Sequence, residues 1–329
     1  MARPIRNFLI HVVSAAIALS GLAVAPAHAQ DYPTRPIHIL VPYAAGGIAD
    51  IAARIVGGKL TDAWGQQVIV ENRPGANGFI ALNGAAKSAP DGYTLVMVTT
   101  GDVAINPALF KDMPYDIDRD LAPVAAVSDA PMVLATNGAT PYHSVADVIA
   151  AAKAQPGTLD VGTPAYGSIN QLVLESIALN TGTKFVHVPY KGGAPAAQAL
   201  LAGDIPLGIL ATSSVAPYTA GGQIRVLAVT TAKRSPLSPE WPTLQEAGAG
   251  DIGASNWTAL LAPKATPQPI IDKLSAEVVA ILNMPDVKDR FAAGGVSTIP
   301  SGPAELNAKI KRELAIYRVI IEKANVHVD

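Results

Sequence analysis

The groups best placed to do chemistry in this chain are backbone N–H groups rather than reactive side chains. Two loops set glycines between an apolar run and a helical pattern. One is Tyr43-Ala44-Ala45-Gly46-Gly47, after Val41-Pro42; the other is Thr163-Pro164-Ala165-Tyr166-Gly167-Ser168-Ile169-Asn170, after Gly162. A helix start presents N–H groups that have no intrahelical acceptor, at the positive end of the peptide dipoles, and glycine lets a ligand approach closely. The ligand such a surface suits is an anion. Ser168 has two readings, as the cap of its helix or as a hydroxyl offered to a carboxylate. A third segment, Val188-Pro189-Tyr190-Lys191-Gly192-Gly193-Ala194, echoes the Pro-Tyr and paired-glycine arrangement of the first loop. The echo reads either as coincidence in a glycine- and proline-rich chain or as two similar lobes facing one another across a cleft.

Side-chain catalysis finds little support. Gly-x-x-x-x-Gly-Lys-Ser/Thr is absent, Gly75-x-x-Gly78 with Gly84 misses the dinucleotide spacing, and Ser168 lacks the flanking glycines of a hydrolase elbow. Beyond the first 30 residues the histidines are His38, His143, His187 and His327, none in a metal-binding frame; His38 and His187 sit inside apolar strand patterns. With no cysteine, disulfides, thiolate metal sites and a cysteine nucleophile are excluded together. Asp50, Asp102 and Asp204 are the carboxylates nearest the loops. Asp50 and Asp102 fall in first helical turns, where bracing is the default role, and Asp204 follows Gly203 at a helix end. Tyr43, Tyr166 and Tyr190 either stack on a ligand ring or pack as cleft-edge residues.

These loops need a scaffold, and the spacing supplies one. Strand patterns at 37–41, 68–70, 94–98 and 160–162 are each followed by a helical pattern, at 46–56, 75–86, 102–110 and 168–180; further strands are expected at 185–188, 207–210, 225–230 and 258–261. Alternation of this kind implies parallel sheets with helices on both faces, whose ligands bind beyond the carboxyl ends of the strands. An extended run at 121–135, broken by Pro123 and Pro131, suits a strand crossing between lobes, and helical patterns at 269–282 and 303–323 are expected to pack back on the first lobe. A chain of 329 residues exceeds one ordinary core, in keeping with two lobes. A net charge of -2 without a basic run removes the footprint of nucleic-acid binding.

Arg3 and Arg6, the apolar stretch 8–24 and Ala27-His28-Ala29 form the pattern of a secretory leader cut after Ala29. Without cysteine no thioether lipid anchor can be made, so an exported, freely diffusing protein points to a Gram-negative periplasm.

Four blocks resemble one family. They are Val41-Pro42-Tyr43-Ala44-Ala45-Gly46-Gly47-Ile48-Ala49-Asp50-Ile51-Ala52-Ala53-Arg54, Val70-Glu71-Asn72-Arg73-Pro74-Gly75-Ala76-Asn77-Gly78, Ala89-Pro90-Asp91-Gly92-Tyr93-Thr94-Leu95, and Val188-Pro189-Tyr190-Lys191-Gly192-Gly193. Their order and spacing are similar to those of the Bug family, the extracytoplasmic solute receptors of tripartite tricarboxylate transporters. The resemblance implies an α/β type II periplasmic binding fold, two doubly wound lobes with a ligand cleft between them. The expected division is 30–130 with 252–329 for one lobe and 131–251 for the other. It implies no enzyme activity and no cofactor. The ligand is a small carboxylate (a di- or tricarboxylate, an amino acid or an aromatic acid), delivered by a monomeric receptor to a tripartite tricarboxylate permease of the inner membrane. Presentation to a sensor kinase is an alternative, as is a periplasmic hydrolase or transferase.

Carried onto this chain, the family's carboxylate-binding loops are Tyr43, Ala44, Ala45, Gly46 and Gly47 on one side. On the other they are Tyr166, Gly167, Ser168 and Asn170 with Lys191, Gly192, Gly193 and Ala194. Thr100, Asp102, Thr163, Tyr190 and Asp204, beside these loops, complete the expected ligand-binding set. Asn170 stands where the family commonly has histidine, a substitution that keeps the polar handle but leaves the ligand class open.

Overall fold

The computed structural model describes residues 32–327, so the expected leader lies outside the described residues. Arg35–Asp329 form one contact unit. Its first half runs β1 (Ile37–Val41), α1 (Ile48–Trp64), β2 (Val68–Asn72), α2 (Phe79–Ala86), β3 (Thr94–Thr99), α3 (Asn106–Leu109), α4 (Ile117–Asp120), β4 (Leu121–Ala130), β5 (Met132–Asn137), α5 (Val145–Ala154) and β6 (Asp160–Thr163). It continues α6 (Ile169–Thr181), β7 (Val186–Pro189), α7 (Gly193–Ala202), β8 (Leu207–Ala211), α8 (Thr212–Val215), β9 (Ile224–Val229), β10 (Asn256–Pro263), α9 (Gln268–Asn283), α10 (Pro285–Ala292), β11 (Ser297–Ser301) and α11 (Pro303–Ala324).

These strands form two sheets, ordered β11-β4-β10-β3-β1-β2 and β7-β6-β8-β5-β9. The strands that carry the loops, β1, β2 and β3 in one sheet and β6, β7 and β8 in the other, are parallel as the alternation implies. The remainder correct that expectation, because β10, β4 and β11 pair antiparallel in the first sheet and β5 pairs antiparallel with β8 and β9 in the second. The cause lies at Pro131. It alone separates β4 from β5, so one extended run leaves the first sheet and enters the second, and the chain returns through 230–255 into β10. Pro123 sits in β4 beside a register shift at Leu260/Leu261, a place where a strand tolerates a residue with no N–H to donate.

Alternation sorts the side chains of the first sheet. Leu40, Val96 and Val98 join Leu82 of α2 and Leu306 and Ile310 of α11 in one cluster. On the second sheet, Met132, Leu134, Leu207 and Ile209 pack with α5 and α6, while Val133, Ala135 and Leu210 pack with α7. α11 does not confine itself to the first lobe as expected. Its later residues Tyr317 and Ile321 belong to the cluster under α5 and α6, together with Ala104 and Ile105, so this helix ties both cores together behind the crossing strands.

Candidate functional site

The first-lobe loop is shaped by a buried carboxylate. β1 ends at Val41, and Gly46 then turns at φ +88, a conformation that favours glycine. Asp50, in the first turn of α1 and 3% exposed, accepts the Gly46 N–H at 2.9 Å. Arg54, one helical turn on, grips the same carboxylate through Nε at 3.1 Å and Nη2 at 2.9 Å. Asn72, at the end of β2, donates through Nδ2 to Asp50 Oδ1 at 2.9 Å and to the Tyr43 carbonyl at 3.0 Å. Burial alone would raise the Asp50 pKa, but these donors outweigh it and hold the carboxyl below its ordinary value. Asp50 is thus a brace for the loop. The first helical bond of α1 runs from Ile51 N–H to Gly47 O, which leaves the N–H groups of Ile48 and Ala49 facing outward without intrahelical acceptors.

A second buried carboxylate lies beneath. Asp102 is fully buried and accepts from the Tyr43 hydroxyl at 2.9 Å, the Thr99 N–H at 2.7 Å and the Thr99 hydroxyl at 2.9 Å. Burial raises its carboxyl to about 6. The Tyr43 ring borders the cleft, but its hydroxyl is directed inward to this cluster.

In the second lobe, Ser168 caps α6. Its hydroxyl donates to Ala165 O at 2.7 Å and accepts from Gln171 N–H at 3.3 Å, while the Gly167 N–H is taken by Gln171 Oε1 at 2.8 Å. Capping is therefore what the Ser168 side chain does here, and the outward donors are the N–H groups of Ile169 and Asn170. The Asn170 amide donates to Ile209 O at 2.9 Å, fixing the helix start to the middle of β8. Gly192 N–H donates to Pro164 O at 2.8 Å, which brings the α7 start, Gly193 and Ala194, beside the same loop.

Three helix starts, those of α1, α6 and α7, consequently open onto one cleft at the carboxyl ends of both sets of parallel strands, as expected for such sheets. The cleft has two adjoining compartments of about 440 and 550 Å³ that share Gly47, Ile48, Asn170 and Asn256. Tyr43, Tyr166, Gly167 and Ser168 border the smaller; Gly46, Gly193 and Ala194 border the larger.

Several expected ligand residues are placed elsewhere. Thr100 is fully buried and spends its hydroxyl joining Ser255 O and Trp257 N–H at 3.0 Å each. Asp102 is enclosed as described. Thr163 is fully buried, its hydroxyl hydrogen-bonded with His187 Nε2 at 2.7 Å and within reach of Ala165 O at 3.1 Å. Ala44 and Ala45 stand exposed at the loop tip, and neither lines a compartment. Tyr190 packs on the cluster beneath α7, Lys191 projects from the loop, and Gly192 serves the loop junction. Asp204 follows the C-terminal end of α7, a full helix length from the Gly193 end that meets the cleft.

The cleft also includes residues that the sequence reading did not select: Asn77, Asn106, Ser213, Ser214, Asn256 and Arg290. Ser213 and Ser214 had a legible signal, as hydroxyls directly after the β8 pattern.

A larger cavity, of about 750 Å³, lies behind the crossing segments against the middle of α11. It differs in kind from the cleft. Of its cations, Arg234 and Lys309 are paired with Glu246 and Glu313, Lys233 and Arg312 border it beside Asp129 and Asp251, and no long helix starts there. Among the described residues no three His, Asp or Glu are grouped to hold a metal, and no helix is long and apolar enough to cross a membrane.

Two α/β lobes joined by crossing strands, with a cleft at the carboxyl ends of their parallel strands, define the type II periplasmic binding class. The chain belongs to the tripartite tricarboxylate transporter receptor family, whose model it matches over residues 52–326. It is 36% identical over 316 residues to BugT of Bordetella pertussis, covering 96% of this chain and 97% of that protein. Among solved structures, a protein of R. palustris with adipate is 33% identical with a TM-score of 0.78, covering 90% of this chain and 99% of that one. MatC from Rhodopseudomonas palustris with bound malate is 28% identical with a TM-score of 0.73, covering 88% and 100%. The family is one of solute receptors, not of enzymes.

Proposed function

We propose that this chain is a periplasmic receptor that encloses a small carboxylate between its lobes and delivers it to a tripartite permease. The observation that carries the reading is the convergence of the α1, α6 and α7 starts on one cleft. A ligand carboxylate accepts N–H groups from both lobes at once and so stabilises the closed arrangement, the form the permease recognises. Hydrogen bonds to a charged group are each worth about 1.5–3 kcal/mol, and micromolar affinity needs about 8 kcal/mol. A handful of such donors suffices. The adipate and malate bound by relatives support the ligand class, and the family's periplasmic members support the location.

Isothermal titration against a panel of mono-, di- and tricarboxylates tests the reading, with Gly47→Val as the control. A Cβ at Gly47 meets only the Ala44 carbonyl, at an ordinary 3.7 Å, and Gly47 borders both compartments, so the substitution is directed at the ligand rather than at the fold. Binding of an acid that the valine abolishes is the expected result. Affinity indifferent to the valine would place the ligand elsewhere.

A further inference from the structure

Arg290 is the one charged residue bordering either compartment of the cleft among the described residues. Every other lining group is a backbone amide, an uncharged polar side chain or an apolar one. The contrast with other arginines is informative. Arg54, Arg73, Arg119 and Arg234 each hold a carboxylate, whereas the Arg290 guanidinium, like those of Arg312 and Arg318 outside the cleft, has no hydrogen bond or ion pair among the described residues.

Its position is set by α10 and the turn that follows. Val287 and Phe291 anchor the short helix in the core, which leaves Arg290 in the last turn on the cleft side. Gly295, at φ +69, then brings the turn against α8, close enough that a Cβ there would stand 3.6 Å from the Ser213 Cβ. Arg290 therefore borders the larger compartment, beside the second lobe's Ser213 and Ser214, while the smaller compartment holds the α6 start.

We propose that Arg290 receives a second acidic group of the ligand and so selects diacids over monoacids and amino acids. The proposal rests on the carboxylate-receptor reading above. Main-chain donors bind any oxyanion and discriminate little among acids. A guanidinium with no internal counter-charge adds discrimination, because its planar fork matches a carboxylate and repels an ammonium group. The ligand then spans both compartments, with one acid group at the helix starts and the other at Arg290. A cation in a last helical turn also complements the helix dipole, but that role does not depend on which ligand is bound.

The test is calorimetric titration of wild type, Arg290→Gln and Arg290→Lys with matched pairs: succinate and butyrate, adipate and hexanoate, terephthalate and benzoate. In at least one pair, wild type is expected to prefer the diacid by about tenfold or more. Arg290→Gln loses that preference by weakening the diacid alone, and Arg290→Lys retains part of it. Equal loss for both members of the pair, or no loss, overturns the role of Arg290. Preferential binding of monoacids by wild type overturns it too, yet leaves the carboxylate reading standing. If no acid of any pair binds, both readings fall together.

Discussion

Asp50 Oδ2 accepts the Gly46 N–H at 2.9 Å, so a donor that the glycine pattern offers to a ligand is consumed by the protein itself. The same carboxylate holds Arg54 and Asn72, and through Asn72 the Tyr43 carbonyl. It organises the loop whose next N–H groups remain free. Replacing it with alanine leaves the Gly46 N–H and the Arg54 guanidinium without this acceptor and leaves the Asn72 amide only the Tyr43 carbonyl. Asp50→Ala is expected to lower stability by about 1–3 kcal/mol and to weaken ligand binding by loosening the loop. Denaturant unfolding and calorimetry on one preparation check both effects; unchanged affinity would separate the brace from the site.

The position of Asp102 predicts a pH dependence of stability. Its folded pKa, about 6, lies above the ordinary 3.8 because burial penalises the charged form more than Thr99 and Tyr43 favour it. Between these values the folded protein binds more protons than the unfolded chain, so the contribution of Asp102 to stability is full below the lower value and declines as pH rises through the upper one. Asn at this position cannot ionise. The Tm advantage of wild type over Asp102→Asn should therefore shrink across this range as pH increases; an advantage that grows would mean that the carboxylate is favoured in the folded state.

Gly78 sits against the same carboxylate. At φ +88, a Cβ there would lie 2.5 Å from Asp102 Oδ1 and 3.2 Å from the Pro42 Cβ. Gly78→Ala combines backbone strain with a collision at a buried group and is expected to cost about 2 kcal/mol or more. Thermal unfolding measures it. A neutral outcome would show that the Asp102 cluster yields.

Ser168 separates capping from binding. Alanine removes the hydroxyl that joins Ala165 and Gln171, with an expected loss of about 1 kcal/mol in stability. Aspartate caps a helix as well as serine does, but sets a negative charge beside the N–H groups of Ile169 and Asn170. Ser168→Asp keeps the cap to Gln171 but cannot donate to Ala165 O, so it should resemble Ser168→Ala in stability while sharply reducing acid affinity. Titration of the two variants against wild type decides, and retention of affinity by the aspartate variant would contradict anion binding at the α6 start.

Which features were legible in the sequence follows from where their causes lie. The loops at Tyr43–Gly47 and Tyr166–Asn170 are local events, a β-branched strand broken by glycine and resumed as a helix, and a linear reading finds them. The use of each N–H is not local. Gly46 and Gly167 lose theirs to Asp50 and Gln171, and only the folded geometry reveals it. Thr100 and Asp102 follow a strand pattern as the loops do, but the turn after β3 folds them beneath the cleft rather than into it. Arg290 comes from α10, a short helix whose buried residues are Val287 and Phe291, and it reaches the cleft from the far end of the chain, where nothing local marks it as a ligand residue. The crossing at Pro131 was readable from its prolines, whereas the antiparallel strands it creates were hidden by the helix-strand alternation on either side.

The most direct test of the account is a crystal structure of the protein with its acid bound. The prediction is a carboxylate within about 2.7–3.2 Å of the N–H groups at the α1 start, Ile48 or Ala49, and at the α6 start, Ile169 or Asn170. An acid lodged instead in the cavity behind the crossing strands, between Asp129 and Lys309, with both helix starts unoccupied, would contradict it.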